Sequence, residues 1–443
     1  MTPADLVMHA RWVIPVEPDG AILENHALVV RDGRIQALLP SDAARRQFQA
    51  PASVELPNHV LIPGFVNAYT CAAASLLRGF ADDAPPVPEQ DVGHNEIRWA
   101  TAEFVRDGGE LAMAGMLRSG TTCFNDASPF PDAIAEAVQR CGLRACLGMS
   151  VSDTPSAWAG TRQEYLAKGI ALRDRYKDDP LLSFTFALRR SPALAEPWMK
   201  EIMVLADELD VPAHACLHAS RAEIERSLQQ SGQRPLARLT ASGWLSSNFI
   251  LVHMTQLLDD EIALLARSGV HVVHCPRSSL KLARGFCPVV KLLAADVNVA
   301  LGTDGIAGGN GTDMLAEMQC AALLAKAVAD DATTLPAAAA LRMATLNGAR
   351  ALGLEQDVGS LLPGKWADVT AIDMQVPECQ PLYHPLSQLV YHAGRQQVSD
   401  VWVAGRQLLR SGRLTTLDAD AILARAAGWQ QRIGAQTRAA VSA

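Results

Sequence analysis

The chain has 443 residues, 49% of them hydrophobic and 19% charged, which is enough material for one large barrel and a smaller domain. Its formal net charge is −8 and its pI is about 5.8, so composition argues against nucleic acid or an anionic membrane as a partner. The first residues lack the pattern of a secretory signal, no apolar run is long enough to span a bilayer, and the nine cysteines have no disulfide-framework spacing. We therefore expect a cytoplasmic protein with reduced thiols.

Two β-rich ends flank a long region in which strand and helix patterns alternate. Residues 4–60 contain short apolar runs separated by turn signals such as EPDG and RDGR, and the same pattern returns at residues 359–374 and 397–414. Between them, runs such as GTTCFND, NFILVHM and VNVALGTDG alternate with helical patterns, as in a parallel β/α array. We predict a (β/α)8 TIM-type barrel over residues 61–357, a small composite β-sandwich domain from residues 1–60 and 358–418, and a C-terminal helix over residues 419–443.

Polar residues follow the predicted barrel strands, at the end where such barrels carry their sites. The segment LIPGFVNAYTCA is an apolar run that ends in polar residues, and strand alternation places Tyr69 and Cys71 on the same side. The other strand ends supply Asn125, Asp126, Arg189, Arg190, His214, Cys216, His218, His253, His271, His274, Arg277, Thr303 and Asp304.

The sequence resembles the amidohydrolase superfamily along nearly its whole length. The resemblance rests on PGFVNA, SLLRGFADD, GTTCFND, LVHMTQL, VVHCPRSSLKLARGFCPV and NVALGTDG. It is greatest for the branch that holds methylthioadenosine/S-adenosylhomocysteine deaminases and triazine (chloro)hydrolases. The resemblance implies a homodimeric barrel hydrolase with one metal ion, usually zinc. Its ligands are a His-x-His pair after the first strand, a His after the fifth and an Asp after the eighth. A further His contacts the metal-bound hydroxide, and a Glu moves a proton.

This chain departs from that pattern at most of the metal positions. The His-x-His pair falls on Tyr69 and Cys71, and the fifth-strand ligand falls on Cys216 in HACLHAS. His253 in LVHMTQL and Asp304 in LGTDG are retained. We therefore expect no metal cofactor, with His253 and Asp304 as the acid/base candidates of a metal-free site. The alternative is a rebuilt zinc site made of Cys71, Cys216, His253 and Asp304, because thiolates bind zinc well.

The changed side chains have other interpretations. Cys71 and Cys216 are either small core residues, metal ligands or a disulfide pair. Tyr69 either donates a hydrogen bond into the pocket or fills it. His218, in the same HACLHAS segment, and Ser279, on a family substrate position, are further candidates for ligand contact.

Two arginines fall on positions where the family contacts substrate. A substrate-contacting His falls on Arg189, a Glu falls on Arg277, and the proton-shuttling Glu falls on Ala219. Because Arg binds carboxylate or phosphate in a bidentate manner, Arg189 and Arg277 are candidate anchors for an anionic ligand. The alternative is that one of them pairs with Asp304 in the space that a metal would fill. Either use disfavours a divalent cation in the same pocket.

Three functions remain open from the sequence. The first is a divergent amidohydrolase-superfamily protein that acts on a small, anionic or N-heterocyclic molecule without the usual zinc. If it is active, the reaction is either hydrolysis of a non-peptide C–N bond or metal-independent acid/base catalysis. The second is a hydrolytic deaminase or amidohydrolase with the rebuilt Cys-containing zinc site. The third is a catalytically inactive homologue that binds a ligand or a partner.

Overall fold

The structure is a computed structural model that describes residues 1–80, 82, 99–152, 154–188, 196–305 and 311–441, with side chains described except at 196–197 and 436–441. In chain order, its strands are β1 (Thr2–Pro3), β2 (Leu6–Val13), β3 (Leu23–Arg31), β4 (Arg34–Pro40), β5 (Phe48–Gln49), β6 (Ala52–Pro63), β7 (Phe65–Thr70), β8 (Thr121–Asp126), β9 (Arg144–Val151), β10 (Leu182–Leu188), β11 (Ala213–Leu217), β12 (Phe249–His253), β13 (His271–His274), β14 (Val299–Leu301), β15 (Val369–Asp373), β16 (Val398–Val403), β17 (Arg406–Arg410) and β18 (Arg413–Leu414).

The helices of the described residues lie mostly between the strands β7 to β15. They are α1 (Ser41–Gln47), α2 (Ala102–Leu117), α3 (Pro131–Cys141), α4 (Arg162–Tyr176), α5 (Glu196–Leu209), α6 (Arg221–Ser231), α7 (Pro235–Ala241), α8 (Asp259–Ser268), α9 (Pro276–Lys281), α10 (Val289–Ala294), α11 (Met314–Ala329), α12 (Ala337–Met343), α13 (Leu346–Ala351), α14 (Pro385–Tyr391) and α15 (Ala419–Val441). Single turns of 3-10 helix cover Ala72–Leu77, Pro377–Cys379 and Arg395–Gln397.

Strands β7 to β14 form one parallel sheet in sequence order. Every residue of β7, β8, β9 and β12 is buried, because helices cover the outer face and side chains fill the interior. The strands connect through helices whose ends carry ordinary stop and start signals. The Thr161 and Ser220 hydroxyls cap α4 and α6, while Gly142 and Gly232 end α3 and α6 in the left-handed conformation. The predicted (β/α)8 barrel is confirmed.

The barrel closes where β14 returns to β7. The backbone N–H groups of Thr303 and Asp304 both donate to the carbonyl oxygen of Tyr69, at 3.0 and 3.1 Å, and Thr70 forms a parallel bridge with Asp304. A Cβ atom at Gly302 would lie 2.8 Å from the Tyr69 carbonyl oxygen, so only glycine permits this approach. Closure therefore brings Tyr69, near the end of the first strand, and Asp304, just after the eighth strand, to one place.

A separate sheet is built from the two ends of the chain. Its strand order is β18-β17-β16-β15-β6-β2-β3-β4, with β15 from the C-terminal part paired antiparallel to β6 from the N-terminal part. A buried ion pair joins this sheet to the barrel, with Arg144 Nε 2.8 Å from an oxygen of Asp368. None of the described helices is both long and apolar enough to cross a membrane. The cytoplasmic location, the homodimer and the domain boundaries stay predictions.

Candidate functional site at the barrel mouth

Near the end of the first barrel strand lies a buried tyrosine, Tyr69, that contacts the fifth strand. The Sγ atom of Cys216 donates to the Tyr69 hydroxyl oxygen at 3.2 Å. The Tyr69 ring also makes edge contacts with the rings of His214 and His253, with centroids 5.5 and 6.4 Å apart. Burial raises the pKa of Tyr69 and raises that of Cys216 to about 12, so both groups keep their protons at neutral pH. Cys71 follows on the chain and is half-buried.

Asp304, just beyond the end of the eighth strand, is held by several donors. Its Oδ2 atom accepts from the Ser278 hydroxyl at 2.6 Å, and its Oδ1 atom accepts from the backbone N–H of Gly305 at 2.7 Å. The Nη1 atom of Arg284 and the Nε2 atom of His253 each lie 3.9 Å from Oδ2. Burial opposes ionisation, but these neighbours outweigh it and hold the pKa of Asp304 below its usual value.

His253 faces an arginine more closely than it faces the carboxylate. Its Nε2 atom lies 3.4 Å from Nη1 of Arg284, and its side chain is 3% exposed. Burial lowers the pKa of His253, against the opposing charge of Asp304 and with the help of Arg284. His253 is therefore neutral at pH 7, and the positive charge beside Asp304 at that pH comes from Arg284. At 3.9 Å, His253 and Asp304 are not hydrogen-bonded.

The other residues that the sequence predicted for the site make contacts away from Asp304 and His253 or are not described. Arg277, at the start of α9, donates its backbone N–H to the carboxylate of Glu317 at 3.2 Å. Ser279 is buried and donates its hydroxyl to the carbonyl oxygen of Cys275. The ring of His218 turns toward the outer helices, where Nε2 accepts from the Leu236 N–H at 3.1 Å. Arg189 lies outside the described residues.

Sequence reasoning missed two residues of the centre, Ser278 and Arg284. Arg284 lies on the loop between α9 and α10, and its carbonyl oxygen accepts from the hydroxyl of Thr255 and the amide of Gln256, at 2.9 and 2.6 Å. These bonds fix the loop against the end of β12, so the guanidinium reaches His253. Strand alternation could not indicate Arg284, because it lies on a loop. Ser278 lies on a helix, where side chains do not alternate with a period of two.

The described residues at the barrel mouth do not bring together the ligands of a zinc site. In the described ranges, no group of three or more His, Cys, Asp or Glu side chains could hold a metal. Zinc sites need at least three such ligands, with thiols deprotonated and histidines neutral. Here the Cys216 thiol is bonded to the Tyr69 hydroxyl. A guanidinium already lies beside Asp304, the one carboxylate of the expected set.

Comparison with known proteins places the chain in a large enzyme family. Residues 60–408 match the family model described as the amidohydrolase family. A 5-methylthioadenosine/S-adenosylhomocysteine deaminase of Teredinibacter turnerae is 46% identical over 437 residues, which cover 98% of this chain and 99% of that protein. The protein of the same name from Saccharophagus degradans is 42% identical over 98% of each chain.

Solved structures agree with this placement. An adenosine deaminase from Xanthomonas campestris, crystallised with bound zinc, superposes with a TM-score of 0.95 at 46% identity and covers 98% of this chain and 99% of its own. Atrazine chlorohydrolase from Arthrobacter aurescens, at 20% identity, shares the fold with a TM-score of 0.86 over 96% of this chain and 99% of its own. Because the family model matches the whole barrel and the relatives are similar along nearly the whole length, the chain belongs to the amidohydrolase family.

Proposed function

We propose that this chain binds a small N-heterocyclic molecule of the purine nucleoside kind at the barrel mouth, without zinc-dependent hydrolysis. The observation that carries the proposal is the pairing at the expected metal position. The Cys216 thiol bonds to the Tyr69 hydroxyl, and the Arg284 guanidinium lies beside Asp304. A scaffold that is 46% identical to a deaminase along 98% of the chain thus surrounds a centre of different chemistry.

The ligand class follows from the relatives. Proteins named as 5-methylthioadenosine/S-adenosylhomocysteine deaminases match over almost the full length at 46% and 42% identity. Identity at this level supports the same barrel scaffold around the site. We therefore infer a nucleoside-type ligand, although function must be argued from the site itself and not from the fold.

The choice of binding over turnover follows from the groups that would move protons. The proton-shuttling Glu of the family pattern falls on Ala219, which is buried and carries no titratable group. His253 and Asp304, the acid/base candidates, are 3.9 Å apart, too far for one to orient the other through a hydrogen bond. We infer that the protein holds its ligand and does not hydrolyse it.

Metal analysis and ligand binding test this proposal together. Purified protein is expected to contain less than about 0.1 equivalent of zinc after incubation with excess metal, because a zinc site needs more ligands than the centre supplies. Adenosine, 5′-methylthioadenosine or S-adenosylhomocysteine at about 100 times its Kd should stabilise the protein by about 2.7 kcal/mol in unfolding experiments. No ammonia should be released, whereas the Teredinibacter turnerae deaminase, assayed in parallel, should release it.

A matched pair of variants locates the binding site. Cys71→Trp places an indole at the barrel mouth and should weaken nucleoside binding by about tenfold or more. Cys320→Trp makes the same change at a half-buried cysteine on the outer helix α11 and should leave binding unchanged. If none of the nucleosides binds, or if Cys320→Trp weakens binding as much as Cys71→Trp does, the proposal is wrong.

A second candidate is a hydrolytic deaminase with a rebuilt zinc site of Cys71, Cys216, His253 and Asp304. One observation favours it: the similar adenosine deaminase from Xanthomonas campestris was crystallised with bound zinc. The same metal analysis decides between the two. About one equivalent of tightly bound zinc together with release of ammonia would establish the second candidate.

A further inference from the structure

The sheet built from the two ends of the chain carries a cavity of about 650 Å³. Its lining residues fall within 53–59, 373–376 and 396–412, where β6 from the N-terminal part meets β15, β16 and β17 from the C-terminal part. All of these residues lie outside the barrel, so the cavity is separate from the site at the barrel mouth. Its volume is in the range of pockets that hold small molecules.

Two irregularities in the strands lie beside this cavity. The register of β15 against β16 shifts between Ala371 and Ile372, and the register of β16 against β17 shifts between Val401 and Trp402. Bulges of this kind redirect side chains and are frequent beside functional sites. Asp400 lies between the two shifts and lines the cavity.

The carboxylate of Asp400 is buried but only partly engaged by the protein. The residue is 8% exposed, and its Oδ1 atom accepts from the Gln407 side-chain amide at 2.9 Å and from the Ser411 N–H at 3.0 Å. Among the residues that the structure describes, no donor is hydrogen-bonded to its Oδ2 atom. Because a carboxylate accepts at both oxygens, Oδ2 is available to a donor inside the cavity.

His59 and Asp373 add further acceptors to the same cavity. They lie directly opposite each other in the antiparallel pair of β6 and β15, so their side chains share one face of the sheet. The Nδ1 atom of His59 is buried and has no hydrogen-bond partner in the described part of the chain. Burial lowers the pKa of His59, against the opposing charges of Asp373 and Asp400. The ring is therefore neutral at pH 7, and one of its nitrogens is an acceptor.

The charges of the lining favour a cation. Glu55 is paired with Arg45 at 2.8 Å, and Arg410 is exposed, so water screens its charge. Asp400 is buried and Asp373 is half-buried, so their negative charges are screened less. Within the described ranges, no group of three or more His, Cys, Asp or Glu side chains could hold a metal ion. An organic cation therefore fits this lining better than a metal ion does.

We propose that this cavity binds a small organic ammonium compound of the linear diamine class. A primary ammonium group has three donors and no acceptor, which matches the Oδ2 atom of Asp400, the carboxylate of Asp373 and the neutral ring of His59. Two carboxylates in a cavity of about 650 Å³ suit a compound with two such groups. Binding here is independent of nucleoside binding, because no part of the cavity belongs to the barrel.

Calorimetric titration with a matched pair of compounds tests the proposal on the unaltered full chain. The pair is 1,5-diaminopentane and 1,5-pentanediol, which have the same carbon chain and differ in charge at the two ends. At about 0.15 M salt, binding to exposed charges alone is largely screened. The diamine should saturate one site per chain and should bind about tenfold more tightly than the diol, or better, because its hydrogen bonds are charge-assisted.

Variants then assign the binding to the cavity. Asp400→Asn keeps the oxygen that accepts from Gln407 and Ser411 but removes the charge, so it should weaken diamine binding by about tenfold or more. Asp373→Asn should weaken it in the same direction. Asp178→Asn removes an equal charge at an exposed position after α4 and is the matched control, which should bind the diamine as the unaltered protein does.

Several outcomes would overturn the proposal. It is wrong if the diamine does not saturate a site, if the diol binds equally well, or if an equal concentration of magnesium displaces the diamine. It is also wrong if Asp178→Asn weakens binding as much as Asp400→Asn does, since binding would then follow net charge alone. A diamine that binds both cavity variants as tightly as the unaltered protein occupies another place. The comparison of the two compounds needs no variant, so it decides the matter even if a variant does not fold.

Discussion

The charges at the barrel mouth come from a few side chains. The sequence pattern indicates one of them and gives no sign of another. Asp304 follows the last barrel strand and is easy to identify from LGTDG. Arg284 comes from a loop and brings the positive charge that faces Asp304 and His253. Because a guanidinium and a divalent cation would repel each other in the same space, Arg284 disfavours a metal ion beside Asp304. Arg284, a single loop residue, thus supports a metal-free interpretation of Tyr69, Cys71 and Cys216.

Glu317 is a second residue with an unusual environment, because its carboxyl group is buried. It lies on α11, is 1% exposed, and accepts the backbone N–H of Arg277. Burial raises its pKa to about 8, although the bond and the charge of Arg277 act in the opposite direction, and Asp313 and Asp304 add to the rise. Folded protein therefore holds a proton at pH 7 that the unfolded chain, with an ordinary Glu pKa, has released.

The first prediction concerns stability against pH. Because the folded-state pKa of Glu317 is raised, its contribution makes the folded protein progressively less stable as pH rises from about 4.5 to about 8, and no further above that. Glu317→Gln should remove this slope, so that the variant gains about 2–4 kcal/mol relative to the unaltered protein between the two limits. Urea unfolding at a series of pH values measures it. Glu201→Gln, at an exposed site on α5, is the control. Parallel profiles of unfolding free energy against pH for Glu317→Gln and the unaltered protein would contradict a raised pKa of Glu317.

At the scale of the elements, the ends of the strands could be predicted and the loops between strand and helix could not. Alternation in NAYTCA and the LVHMTQL and LGTDG segments placed Tyr69, His253 and Asp304 at one barrel end, because parallel strands present their C-terminal ends together. The geometry of Arg277, Ser279 and His218 depends on how each chain segment turns after its strand. Arg277 contacts Glu317 and His218 contacts Leu236, both far apart in the sequence, while Ser279 bonds to Cys275 one helical turn earlier. No periodicity in the sequence specifies these contacts.

The closure of the barrel between β7 and β14 gives a second prediction. The Asn67 amide donates to the Thr303 hydroxyl at 2.8 Å, and its oxygen accepts the Thr303 N–H at 3.1 Å, both fully buried. Asn67→Leu removes both bonds and leaves polar groups of Thr303 without this partner, so we expect a loss of about 2–3 kcal/mol in the free energy of unfolding. Asn58→Ala, at an exposed position of β6, should change stability by less than about 0.5 kcal/mol. Urea unfolding of both variants measures it, and equal effects would show that the Asn67 bonds contribute nothing to closure.

At the scale of the whole molecule, the two β-rich ends and the alternating centre indicated the architecture correctly. Hydrophobic periodicity and turn signals are local properties, and they sufficed for a barrel with a separate sheet made from both ends. The connection between the two parts could not be read in this way. Arg144 begins a barrel strand, Asp368 precedes β15, and 224 positions separate them along the chain. Only the folded structure brings these charges together.

The third prediction concerns this connection. Arg144 bonds to both oxygens of Asp368, at 2.8 and 3.2 Å, and the two side chains are only 5% and 2% exposed. Arg144→Met leaves the carboxylate buried without its cation, which we expect to cost about 3–5 kcal/mol, because a lone buried charge is not compensated by water. Asp368→Asn in the same chain removes that charge and should recover a substantial part of the loss. Arg31→Met breaks an exposed pair with Asp32 and should cost less than about 1 kcal/mol.

Urea unfolding followed by both circular dichroism and tryptophan fluorescence measures these free energies. Trp366 lies at the junction, with the Arg144 guanidinium 5.4 Å and that of Arg34 3.9 Å from its ring centroid. Fluorescence is therefore followed in a background in which the other seven of the eight tryptophans are replaced by Phe. In the Arg144→Met variant, the fluorescence transition should move to lower urea than the transition of the barrel helices, because the sheet loses its buried link first. Coincident transitions at the midpoint of the unaltered protein would mean that the pair does not couple the sheet to the barrel. A loss that persists fully in the double variant would mean that packing of the Arg144 side chain, and not its charge, holds the two parts together.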